Sequence, residues 1–174
     1  MTADPLKAKI ITAYQTLLAR DGLLLQVDAS ERSITHKLAE YLQQLLPDWN
    51  VDCEYNRTLG EGKLVQLWSE KQEEVLSKLE SAPTDKRRKF LQDILDGGVS
   101  VYPDIIIHHR GTSNNLAVIE AKKSSSTIDD SEKLQAYIND ERLNYQFAFK
   151  VILPAGRQYQ EPIEFDTIIE QITP

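Results

Sequence analysis

Three charged residues stand at the ends of two apolar runs in the segment 101–126. Asp104, preceded by Pro103, heads the first run, and Glu120 and Lys122 close the second. Side chains alternate along a β-strand, so Glu120 and Lys122 would share one face of a sheet. The loop 110–115 is rich in turn residues, and a hairpin there would bring Asp104 beside Glu120. The sequence therefore predicts two carboxylates and an ammonium group at one end of a sheet.

Such a group of charges suits metal-dependent chemistry. Two carboxylates about 4 Å apart repel each other by roughly 4 kcal/mol at an effective dielectric constant near 20, a cost that a divalent cation between them removes. Oxygen ligands from Asp104 and Glu120, with the Ala121 carbonyl as a further one, suit Mg²⁺, for which Mn²⁺ can substitute. A metal-bound water oriented by Lys122 would attack a phosphodiester, and the ammonium would share the charge that develops.

The Glu-x-Lys triplet alone is weak evidence, because the chain contains a second one. Glu61-Gly62-Lys63 has the same pattern but lies beside a glycine and has no strand before it. Only the apolar run before Glu120 and the Pro-Asp pair ahead of it separate the two triplets. A structural alternative is that Asp104 and Glu120 are ion-pair partners of Lys122 and Lys123.

The remaining periodicities predict the elements around this hairpin. Amphipathic helices begin near Asp4 and near Asp28, which stands three residues before Glu31 as in a capping box. We expect an α/β fold in which helices flank a mixed central sheet, and one domain spanning 1–174 with a helical insertion at 64–98. Further predicted elements are a strand at 49–55, insertion helices at 64–80 and 85–96, hairpin strands at 101–108 and 116–122, a helix at 130–142, a strand at 145–153 and a short C-terminal element.

Composition limits the classes of partner and compartment. The chain has 174 residues and a formal net charge of -7, so a polyanion would need a local basic patch. The single cysteine, Cys53, excludes an internal disulfide, and we see no signal peptide or membrane-spanning run. These features favour a cytoplasmic protein that binds no membrane.

Pro103-Asp104 and Glu120-Ala121-Lys122, each attached to an apolar strand, resemble the motif of the PD-(D/E)xK nuclease superfamily. The resemblance implies a restriction-endonuclease-like α/β fold and a small stand-alone member of bacterial type. It follows the element order over about 31–153, is specific only at the motif, and is interrupted by the insertion at 64–98. In that superfamily the Asp and the Glu bind the metal ion and the Lys positions the water.

The resemblance also bears on two helices. Some members add a glutamate from the helix before the first strand, and Glu31 matches that place; the alternative is that Glu31 closes the capping box. Others carry Gln and Tyr four residues apart on the helix after the motif, but Gln135 is followed at that distance by Asn139. Lys133 and Tyr137 share a face of this helix and could approach a phosphate. The alternative is that Tyr137 belongs to the core and Lys133 is solvated.

Several basic residues are candidates for contacts with nucleic acid. The densest basic run, 86–89, opens a helix where the macrodipole disfavours cations. A solvated helix face is the alternative explanation. The candidate residues are Arg57, Arg87, Arg88, Lys123 and Lys133.

The leading hypothesis is a Mg²⁺-dependent nuclease, an (endo)deoxyribonuclease-like phosphodiesterase acting on nucleic acid, in the first place DNA. The alternative is a non-catalytic subunit of the same fold that binds a protein partner or nucleic acid, with 64–98 as the docking element. A homodimer remains open in either case.

Overall fold

The computed structural model describes the backbone of residues 1–55, 57–58, 61–62, 64–65, 69–127 and 129–173, and their side chains outside 56–70, 97, 99 and 100. The helices are α1 Ala3–Asp21, α2 Leu23–Gln26, α3 Glu31–Leu45, α4 Ser69–Glu80, α5 Asp85–Gly97, α6 Ser131–Asn139 and α7 Phe165–Ile168. The strands are β1 Asn50–Cys53, β2 Arg57–Thr58, β3 Glu61–Gly62, β4 Leu64–Val65, β5 Val99–Ser100, β6 Ile105–His108, β7 Asn115–Lys123, β8 Tyr145–Leu153 and β9 Ile169–Ile172.

Five of these strands form one mixed sheet in the order β1-β6-β7-β8-β9. Neighbours are antiparallel except β7 and β8, which are parallel and are linked through α6. The central strand β7 is buried along most of its length, which explains why its sequence is a nearly continuous apolar run.

Helices cover both faces of this sheet. α1 and α3 pack on the face that carries Ile119 and Phe149. α6 packs through Leu134 on the opposite face, which carries Ile106 and Val118. The expected architecture, a mixed sheet flanked by helices, is therefore confirmed.

The segment between β1 and β6 contains α4 and α5, which share a small apolar cluster of Val75, Ala82 and Leu91. The predicted helix from residue 64 begins only at Ser69. Residues 64–65 instead pair with 99–100 in a short antiparallel ladder at the two ends of the segment. Residues 64–65 form a strand instead of a helix because they pair with a distant segment, and the local spacing of apolar residues does not reveal such a pairing.

The first turn of α3 differs from the predicted capping box. Ser30 is the N-cap, and its hydroxyl accepts a hydrogen bond from the Ser33 N–H at 3.1 Å. Asp28 has a positive φ of 55° and its carboxylate pairs with Lys123. The capping box is therefore wrong, and the Glu31 side chain is directed elsewhere.

The predicted pairing of the two hairpin strands is confirmed, but the first strand begins at Ile105 and not at residue 101. β6 and β7 pair antiparallel with Ile105 opposite Ile119, so the same register carried one residue further places Asp104 opposite Glu120. Among the helices that the described residues form, none combines the length and apolar character needed to cross a membrane.

Candidate active site

Asp104 and Glu120 lie side by side at one end of the β6–β7 hairpin. Asp104 directly precedes β6, and its Oδ2 accepts a hydrogen bond of 2.8 Å from the Ala121 N–H of β7. Glu120 points to the α6 side of the sheet and is only 1% exposed. The strand register thus brings together the two carboxylates that the sequence selected.

Burial and mutual repulsion make the charged forms of these two carboxyl groups less stable. Burial, followed by the charge of Asp104, raises the pKa of Glu120 to about 8. Burial also raises the pKa of Asp104, although the Ala121 N–H and nearby ammonium groups act in the opposite direction. Without a cation, ionisation of both carboxyl groups is therefore disfavoured.

Lys122 lies at the same end of the sheet between two further carboxylates. Its Nζ is 3.2 Å from Glu31 Oε1 and 3.4 Å from Asp130 Oδ2. Burial would lower the pKa of Lys122, but the charges of Asp130, Asp104 and Glu31 raise it to about 12. Lys122 is therefore an ammonium ion at neutral pH, able to donate hydrogen bonds and to neutralise negative charge.

Glu31 joins α3 to the motif strand. Besides its contact with Lys122, its Oε2 accepts a hydrogen bond of 3.0 Å from the Lys123 N–H. Of the two explanations for Glu31, the structure favours the one that places it at the site.

The sequence did not predict the contacts that two residues of the site make. Asp130 is 8% exposed and immediately precedes α6. From sequence it marks only a helix start, because an acid at that place is common in any helix. Lys133 is not a solvated residue: its side chain is 19% exposed and its Nζ lies 2.8 Å from Glu120 Oε2. Its spacing to Tyr137 was visible, but its partner was not.

Polar groups around Glu120 are incompletely satisfied. Seven buried side-chain oxygens in the described part of the chain lack a hydrogen-bond partner, and four of them belong to Glu120, Asp130 and Tyr137. The contact of Lys133 with Glu120 is close enough for an ion pair but lacks the angles of a hydrogen bond. Buried polar atoms are rarely left in this state except where a ligand or a functional constraint explains it.

The donor set fits a divalent metal ion. Glu31, Asp104, Glu120 and Asp130 are acidic, whereas Lys122 and Lys133 are the ammonium groups paired with them. Fully ionised, the cluster carries two more negative charges than positive ones. Hard oxygen donors with this excess suit Mg²⁺.

Asp104 and Glu120 are the residues that could hold such an ion. Among the described residues no group of three or more His, Cys, Asp or Glu side chains is arranged around a common metal position. Mg²⁺ commonly uses one or two carboxylates and completes its shell with water and substrate phosphate, so two side chains suffice. The Ala121 carbonyl stays a predicted third ligand.

The predicted nucleic-acid contacts are scattered. Lys123 Nζ is 2.7 Å from Asp28 Oδ1, and Lys133 faces Glu120. On α5, Arg88 pairs with Asp85 at 3.3 Å. The Arg87 guanidinium lies 5.2 Å from the centre of the Phe90 ring. The side chain of Arg57 lies outside the described residues.

A cleft of about 940 Å³ opens beside the site, between the first half of α3 and the end of β1. Glu31, Asp104, Arg32 and Lys37 are among the residues that line it. Two of the site carboxylates, Glu31 and Asp104, are thus reachable from a cavity of the size that binds small molecules, whereas Glu120 is 1% exposed and is not part of its lining.

Comparison of the chain with family models, with curated proteins and with solved structures found no match.

Proposed function

We propose that this protein is a divalent-metal-dependent nuclease of the PD-(D/E)xK type, with a restriction-endonuclease-like fold, that hydrolyses phosphodiester bonds of DNA. The observation that carries the proposal is the adjacent pair of half-buried Asp104 and fully buried Glu120 at the end of the hairpin, beside the ammonium group of Lys122. An ordinary structural ion pair has no need of two adjacent carboxyl groups removed from solvent.

The structural alternative has less support. It pairs Asp104 and Glu120 with Lys122 and Lys123, but Lys122 contacts Glu31 and Lys123 contacts its own aspartate in the α2–α3 loop. Both Glu120 oxygens lack a well-aligned hydrogen bond among the described residues, and the ion pair with Lys133, at 2.8 Å, involves Oε2 alone. Such an arrangement costs folding free energy, which a functional role explains better than a structural one.

Each residue has a separate task in the proposed reaction. Asp104 and Glu120 hold the cation, which when bound supplies Lewis-acid activation of water and neutralises phosphate charge. Lys122 donates hydrogen bonds to the attacking water and to the phosphate oxygens on which charge develops. Glu31 receives one hydrogen bond from Lys122 and one from the β7 backbone, and so orients that ammonium group.

The cleft supplies a route for the substrate. The Arg32 side chain is 80% exposed and forms an ion pair of 2.6 Å with Glu54 across the cleft. Exposed ion pairs of this kind contribute little to stability and exchange readily for a phosphate. A nucleic-acid strand in the cleft would therefore meet the Arg32 cation and the Glu31 and Asp104 carboxylates.

The experiment is a cleavage panel on supercoiled, linear, single-stranded and branched DNA with Mg²⁺ or Mn²⁺, repeated in EDTA. We expect cleavage that EDTA stops and that Lys122→Met abolishes. The matched control is Lys63→Met, which makes the same change in the second Glu-x-Lys triplet and should leave cleavage intact. Cleavage that survives Lys122→Met would contradict the proposal. Absence of both cleavage and metal binding would favour the non-catalytic binding subunit.

A further inference from the structure

Lys133 is a cation in a place where neither its helix nor solvent stabilises it. It is the third residue of α6, and the first turn of a helix disfavours positive charge. Its side chain is 19% exposed, and its Nζ lies 2.8 Å from Glu120 Oε2 and 5.8 Å from the centre of the Tyr137 ring. The contact with the buried Glu120 carboxyl group is therefore what holds the ammonium there.

Glu120 depends on this contact in turn. Within the described part of the chain, Lys133 is the one cation that forms an ion pair with Glu120. Lys122 is the nearest other candidate by sequence, but it pairs with Glu31 and Asp130. The position that a metal ion needs at Glu120 is thus already faced by an ammonium group.

We propose that Lys133 is an internal counter-ion that occupies the cation position at Glu120 until a divalent metal ion displaces it. This inference rests on the proposed metal-dependent function. Mg²⁺ binds carboxylate oxygens at roughly 2.0–2.1 Å, and it repels a second cation held at hydrogen-bond distance from the same oxygen. The four-carbon stem of lysine is flexible, so the ammonium can swing toward solvent. Lys133 therefore sets the affinity for the metal ion without being a ligand.

The first test uses the unmodified protein. An amine-reactive acetylating reagent is applied in EDTA and in excess Mg²⁺, and the labelling rate of each lysine is read by peptide mass spectrometry. We expect Mg²⁺ to raise the rate at Lys133 several-fold. Lys150 is the internal control, because its side chain is 17% exposed and pairs with Asp129 at 2.6 Å. A rate at Lys133 that stays constant or falls would overturn the inference.

The second test is calorimetric titration of Mg²⁺ into the wild type, Lys133→Met, Lys133→Arg and the control Lys150→Met at the same pH and ionic strength. We expect Lys133→Met to bind Mg²⁺ roughly tenfold more tightly, and the other two variants to resemble the wild type. Equal or weaker binding by Lys133→Met would overturn this inference but not the proposed function. No binding heat for any of the four proteins would overturn the proposed metal-dependent function and the inference with it. Thermal unfolding in EDTA checks that each variant is folded; if Lys133→Met is not, the labelling result decides.

Discussion

Two clusters of charged side chains lie at opposite ends of β6 and use similar residue types with opposite results. The site cluster has Glu31, Asp104, Glu120, Asp130, Lys122 and Lys133. The Asp52 cluster has Asp52 of β1, His108 at the end of β6, and Arg110. His108 Nε2 lies 2.8 Å from Asp52 Oδ2, and Arg110 bonds both oxygens, with Nε at 2.7 Å from Oδ2 and Nη2 on Oδ1.

The two clusters shift their carboxyl groups in opposite directions. Burial would raise the pKa of Asp52, but hydrogen bonds from Arg110 and His108 lower it. At Glu120 burial and the charge of Asp104 prevail over Lys133, and the pKa rises to about 8. The same sheet therefore stabilises one carboxylate and destabilises the other.

The ratio of donors to carboxylates, rather than burial alone, decides in which direction the pKa of the carboxyl group shifts. Asp52 alone receives an imidazole and a bidentate guanidinium, which satisfy both of its oxygens. At the site cluster four acids share two ammonium groups. The surplus is the feature that a metal ion would neutralise, so changes to the two clusters should have different consequences.

The largest expected effect is on activity. Glu120→Gln removes a proposed metal ligand and should lower the DNA cleavage rate by roughly a hundredfold or more. Asp52→Asn should change the rate little when it is assayed well below the unfolding temperature. A plasmid-nicking time course with Mg²⁺ measures both. Equal losses in the two variants would remove the functional distinction between the clusters.

The second effect is on stability, and here Asp52→Asn should cause the larger loss. Asp52→Asn leaves His108, whose side chain is 2% exposed, without its carboxylate, and should reduce the free energy of unfolding by about 2 kcal/mol. Glu120→Gln removes a destabilised carboxyl group and should cost less than this. Urea unfolding in EDTA near neutral pH compares the two. A larger loss for Glu120→Gln would show that the site cluster stabilises the fold.

Counted per pH unit, the smallest effect is the pH dependence of stability. The pKa of Glu120 is raised from 4.5 to about 8, so between these values the folded state keeps a proton that the unfolded state releases. The free energy of unfolding of the wild type should therefore fall as pH rises, by at most about 1.4 kcal/mol per pH unit, until the pH passes the folded pKa. Glu120→Gln should lack this slope.

Asp52→Asn is the matched control for the slope, because the pKa of Asp52 is lowered and its titration lies below the tested range. Urea unfolding in EDTA from about pH 5 to about pH 9 at constant ionic strength gives all three curves. Parallel curves for the wild type and Glu120→Gln would contradict the raised pKa.

Much of the fold was predictable because the spacing of apolar residues indicates most of its helices and strands. The run from Tyr145 to Leu153 predicts the observed strand with its bounds, and the alternation before Glu120 places that residue on the same face as Val118. Boundaries failed where a non-local pairing or a competing cap decided them, as at Leu64 and at Ser30. Propensity within a short window cannot rank such alternatives.

Side-chain alternation and a short loop constrain residues that are close in the chain, so the carboxylates and the lysine at the end of the hairpin could be predicted from the sequence. Asp104, Glu120 and Lys122 belong to this class. Only the tertiary structure decided that Lys133 faces Glu120 and that Asp130 faces Lys122. Those contacts depend on how α6 packs across the sheet, a long-range arrangement that sums many weak apolar contacts and leaves no signature at the charged residues themselves.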